Sequence, residues 1–171
     1  MKISILLPYK ENFSPIYPGA VSLFVNDTTK ISKFKKNITV YGNTEYKKIF
    51  NLKYKNILLN KNLFQSQSKK YVKEFIKIEK EKRSDLIEIH NRPNYLKYLT
   101  RSLKKRTYAL FFHNDPLTMT GSKSIEDEFE AVDVNKCVQQ PPPASAKVPS
   151  PLKNVEDDAV PEPSLALAIV P

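Results

Sequence analysis

Two stretches of this chain end in the same chemistry. Asp85-Leu86-Ile87-Glu88-Ile89-His90-Asn91-Arg92-Pro93 and Thr107-Tyr108-Ala109-Leu110-Phe111-Phe112-His113-Asn114-Asp115-Pro116 each run from a short apolar segment into a His-Asn pair and then a proline turn. An imidazole can give or take a proton near neutral pH, and its amide and carboxylate neighbours can orient hydroxyls. Ligands of open α/β sheets bind at the carboxyl ends of the strands, so two such ends predict two walls of one cleft. His113 is the candidate for holding or reacting with a ligand; its alternative is a histidine satisfied by local backbone. Asn114 and Asp115 could orient hydroxyls, or simply form the turn before Pro116. His90, Asn91 and Arg92 could approach a second ligand, or Asn91 and Arg92 could cap a helix.

A third candidate lies near the amino terminus, where Pro18-Gly19-Ala20 follows the first apolar run. Glycine permits a positive φ and close backbone approach, so the first N–H groups of the next helix could face a phosphate or a hydroxyl. Equally, Gly19 could only turn the chain. Other chemistries lack their signatures. His90, His113 and Asp115 match no compact metal-ligand spacing, and the lone Cys137 sits in polar sequence. There is no G-x-x-x-x-G-K-[ST] loop, G-x-G-x-x-G fingerprint or G-x-S-x-G elbow. No cofactor is implied.

The elements that must position these residues alternate between strand and helix. Lys2 to Pro8, Asn37 to Tyr41, Lys55 to Leu59, Leu86 to Ile89 and Tyr108 to Phe112 read as strands. Val21 to Phe34 reads as a helix with Val21, Phe24, Val25, Thr28 and Ile31 on one face. Gln65 to Arg83 is the longest helix, with Val72, Phe75, Ile76 and Glu79 inward, and Pro93 suits the first turn of a helix reaching Lys104. This alternation predicts an α/β, Rossmann-like parallel sheet with helices on both faces.

Charge divides the chain. Residues 1–125 hold 25 Lys+Arg against 9 Asp+Glu, and residues 126–171 hold 3 against 9, within an overall formal charge of +10. Eight of 13 prolines and only one aromatic, Phe129, follow Glu126. The expected organisation is a folded body over 1–125 and a disordered, acidic, Pro-rich tail over 126–171. No apolar run is long enough to span a bilayer, and the first one is too short for a signal peptide, so a cytoplasmic location is expected. The lysines, Lys33, Lys35, Lys36, Lys69, Lys70 and Lys73 among them, also fit a basic module that binds nucleic acid or an anionic membrane surface. Of these partners, nucleic acid is the less expected.

The body resembles the amino-terminal, acceptor-side domain of GT-B glycosyltransferases of the subfamily 4-like, retaining type. The likeness rests on the order of elements, on Pro18-Gly19-Ala20, and on Ile89-His90-Asn91-Arg92-Pro93 and Phe112-His113-Asn114-Asp115-Pro116 followed by Gly121-Ser122-Lys123-Ser124. It departs where many relatives carry two adjacent glycines and this chain has Gly19-Ala20. The carboxy-terminal domain that holds the nucleotide-sugar, with its acidic E-x7-E-type motif, has no counterpart in the 171 residues. The resemblance implies a nucleotide-sugar donor, a glycan or lipid-linked acceptor, and His113 at the transferred sugar; for such an enzyme the basic charge would help it lie against anionic lipid at the inner membrane face. It also implies no turnover by this half alone. The sugar, acceptor and linkage are not legible.

Overall fold

The structure, a computed structural model, describes residues 1–59, 66–114, 138–139 and 166–170. Four apolar runs and one short polar edge segment form five parallel strands, β1 (Ile3–Leu6), β2 (Ile38–Gly42), β3 (Tyr54–Asn56, the polar edge), β4 (Leu86–His90) and β5 (Thr107–Phe112). Helices α1 (Ala20–Ile31), α2 (Gln67–Lys82) and α3 (Pro93–Ser102) connect them, with a 3-10 turn at Lys35–Asn37. The fold is α/β and Rossmann-like. Its strands lie in the order β3-β2-β1-β4-β5. The chain steps outward from β1 to β3, then crosses back to β4 on the other side of β1. Such a reversal opens a crevice at the carboxyl ends of β1 and β4.

Alternation along the strands divides the core between the two faces. Ile3, Ile5, Leu7, Ile38 and Val40 pack under Val21 and Val25 of α1. Leu6, Tyr41, Ile87, Ile89, Tyr108 and Leu110 pack under α2 and α3, which contribute Val72, Phe75, Ile76, Leu96 and Leu99. With both faces covered, β1, β2, β4 and β5 have little need of polar residues, which is why they read as apolar runs.

Polar anchors join the layers. Tyr71 Oη, buried on α2, donates to the carbonyls of Leu7 (3.0 Å) and Tyr41 (3.3 Å), fastening the helix to the carboxyl ends of β1 and β2. Burial pushes its phenol well above the ordinary value, so it stays a donor. Tyr108 Oη bonds the carbonyls of Leu103 (2.8 Å) and Leu99 (3.2 Å), satisfying the end of α3. At the opposite end of the sheet Glu79 is wholly buried. Its carboxylate accepts from Ser4 Oγ (2.5 Å), Ser84 Oγ (3.2 Å) and the Ser84 N–H (3.1 Å), while Lys82 Nζ reaches Ser4 Oγ at 3.0 Å.

Three details differ from the sequence expectation. The buried face of α1 is Val21, Ser22, Val25, Asn26 and Thr29, whereas Ile31 is 87% exposed and Thr28 faces out. Phe24 lies against the rings of His90 and His113, and this seating turns the small polar residues toward the sheet. Strand β3 stops at Asn56 rather than Leu59. Among the described residues it pairs only with β2, and the Asn56 side chain closes the edge by accepting from Thr44 N (3.0 Å) and donating to Thr44 O (3.1 Å).

The third difference concerns the tail. Most of 126–171, and the boundary at 125, lie outside the described residues. Two pieces are strands: β7 (Ala166–Val170) runs antiparallel along β5, and β6 (Val138–Gln139) pairs with β7. An open strand edge offers unpaired N–H and C=O groups, and the apolar Ala166-Leu167-Ala168-Ile169-Val170 has the composition to take them. Among the described residues no helix is long and apolar enough to cross a membrane.

Candidate functional site

The two His-Asn pairs meet. His90 closes β4, and the next residue, Asn91, adopts φ 50°, a left-handed conformation that asparagine tolerates better than most residues. This bend turns Asn91 back onto β5. Its N–H donates to Phe111 O at 2.8 Å, and its Oδ1 accepts the His113 N–H at 2.7 Å. The imidazoles are then in direct contact, with His90 Nδ1 2.9 Å from His113 Nε2. Phe111 stacks on His90 (centroids 4.8 Å, 8° between planes), and Phe24 of α1 sets its edge against His113 (4.8 Å, 81°).

Burial decides the charge of this cluster. His90 is 1% exposed, and burial first, then the neighbouring His113, pushes its pKa down to about 3. His113, half-buried, is lowered by burial as well. Both rings are therefore neutral at physiological pH, one donating and the other accepting. Glu88, two residues before His90 and on the same face of β4, has its carboxyl raised to about 7 by burial. His90 Nε2 has no hydrogen-bond partner and lies 4.0 Å from Glu88 Oε2.

The amino-terminal wall corrects the sequence reading. Gly19 precedes α1 with φ −75° and ψ 159°, an extended conformation open to any residue. What excludes a side chain is Glu11. A Cβ on Gly19 would lie 1.9 Å from Glu11 Oε1, the atom that accepts the Ser22 N–H at 3.0 Å. The helix N-terminus thus holds the chain's own carboxylate, a favourable charge for that end of the dipole, at the place where a phosphate or hydroxyl, or a simple turn, were the alternatives. Ala20 is the exposed first residue of α1. Gly19→Ala should displace the Glu11 carboxylate and cost roughly 1 kcal/mol, the worth of a helix cap. In urea denaturation the Glu11→Ala, Gly19→Ala pair should then lose little more than either single variant; additive losses would refute the contact.

The remaining candidates divide. Arg92 and Asn114 are exposed on the rim, with Arg92 Nη1 bonded to Asn91 O at 3.1 Å. Asp115 lies outside the described residues. Asn91 and His90 are buried and reach inward to His113, so neither presents its side chain to solvent. Arg92 is the N-cap residue of α3, but no side-chain bond caps that helix. Glu88, Phe24 and Glu11 were missed. A signal for Glu88 existed, since its i, i+2 relation to His90 puts both on one strand face; Glu11 had none. Among the described residues no cluster of three His, Cys, Asp or Glu side chains could hold a metal ion. A scan against family models and searches of curated proteins and of solved structures each find no match to this chain.

Proposed function

We propose that this chain is the acceptor-side half of a glycosyltransferase that moves a sugar from a nucleotide-sugar to a glycan or lipid-linked acceptor. The observation that carries this reading is the place of His113. It stands at the carboxyl rim beside the crossover between β1 and β4, its backbone held by Asn91 and its ring by His90. A neutral imidazole held in this way can bond a hydroxyl or take its proton, and leaves one ring nitrogen for the task. Catalysis would be positioning between this rim and a second domain that clamps the nucleotide.

The decisive assay measures sugar transfer from nucleotide-sugar donors, first by these 171 residues and then by the same chain joined to a donor-binding domain. Turnover is expected only in the second case. Robust transfer by this polypeptide alone would overturn the division of labour between two domains, and no transfer in any pairing would overturn the activity.

A further inference from the structure

His90 is an unusual residue to bury. One nitrogen is engaged by His113 at 2.9 Å, and the other, Nε2, has no partner although it is sealed from solvent. Leaving such a group unpaired costs about 1–3 kcal/mol. The nearest group able to answer it is Glu88, whose Oε2 is 4.0 Å away and whose side chain is 19% exposed. That gap is too long for a hydrogen bond as it stands, so Glu88 must move toward Nε2 to answer it.

We infer that Glu88, acting through His90, sets which ring nitrogen of His113 carries the proton, the three side chains forming one relay that ends at the open rim. With Glu88 ionised, His90 keeps its proton on Nε2, facing the carboxylate. Its Nδ1 then accepts from His113 Nε2–H, and His113 Nδ1 is a bare acceptor. When a proton enters at His113 Nδ1, the Nε2 proton of His113 passes to His90 Nδ1, and the Nε2 proton of His90 passes to Glu88. One proton has been gained, and it resides on the carboxyl. Neither ring becomes charged at any end state.

Two features favour this route over protonating a ring. Burial penalises an imidazolium at both histidines, whereas Glu88 retains contact with water and has a carboxyl that titrates at about 7. Among the described residues no charged neighbour adds to the effect of burial on Glu88. The flanking strands place Ile5 and Ala109 level with Glu88. On α1 the charged side chains are Asp27 and Lys30, exposed and 3.6 Å from each other. Glu88 is thus a positioning residue that tunes His113, and it does so whichever substrate the rim takes.

The chain has only two histidines, so their ring nitrogens can be followed without ambiguity by long-range proton–nitrogen NMR. Over a titration from about pH 5 to about pH 9, both rings should exchange tautomers together, in step with the Glu88 carboxyl carbon. In Glu88→Gln, whose amide does not titrate, the exchange should vanish and both rings should keep one tautomer across the range. Tautomers that do not change with pH in the native chain, rings that titrate independently, or an exchange that survives in Glu88→Gln would each overturn the relay. The titration of the native chain decides the matter even if the variant folds poorly. Because no sugar or donor is present, the relay and the transferase reading fail separately.

Discussion

Replacing Glu79 by alanine should destabilise the domain by about 3–5 kcal/mol, a large part of the ~5–15 kcal/mol available to a domain of this kind. The carboxylate is the common acceptor for Ser4 Oγ, Ser84 Oγ and the Ser84 N–H, and it ties the last turns of α2 to β1. Removing it leaves these buried donors without their acceptor and the ammonium of Lys82 without its counter-charge. Glu79→Gln keeps the shape and one oxygen, and should cost less. The control is Glu74→Ala, which removes an exposed pair with Lys77 (2.7 Å, side chains 40% and 70% exposed) and should cost less than about 0.5 kcal/mol. Urea denaturation of the three variants reads these differences directly. A loss at Glu79→Ala no larger than at Glu74→Ala would show that the network does not hold the layers together.

In a two-domain enzyme that transfers sugar, His113→Ala should lower the rate by about 100-fold, the usual worth of one general acid–base group. The same substitution cannot be silent for folding. The ring bonds His90 and meets the edge of Phe24, so removing it strips the His90 ring of its one hydrogen-bond partner among the described residues. His113→Gln separates the effects, since its amide can still hydrogen-bond His90 but cannot relay a proton. The expectation is a stability near that of the native chain with the rate still reduced. An unchanged transfer rate in His113→Ala would remove this residue from the chemistry and leave the paired imidazoles as a structural clasp.

Much of the architecture was legible before any tertiary contact was known. The apolar runs at Ile3–Leu6, Ile38–Gly42 and Leu86–His90 could only be covered strands, and Val72, Phe75, Ile76 and Glu79 marked the inward stripe of α2. Local periodicity carries this information because it reflects which side of an element is buried. It also carried the rim: parallel strands point their carboxyl ends one way, so the His-Asn pairs had to fall on the same edge.

Side-chain pairings across the sheet were another matter, because they depend on register and on helix rotation, which no local pattern encodes. The register of β4 on β5 sets His90 level with Phe111 and lets Asn91 reach His113. The rotation of α1 sent Ile31 to solvent and laid Phe24 over the imidazoles. A loop residue, Glu11, reached the start of α1 and accepted the Ser22 N–H. At the sheet edge, β7 joined β5 from a segment whose composition predicted no regular structure. In each case the deciding partner is distant in the chain, so the residue types were set by the sequence and their meetings by the packing of the layers.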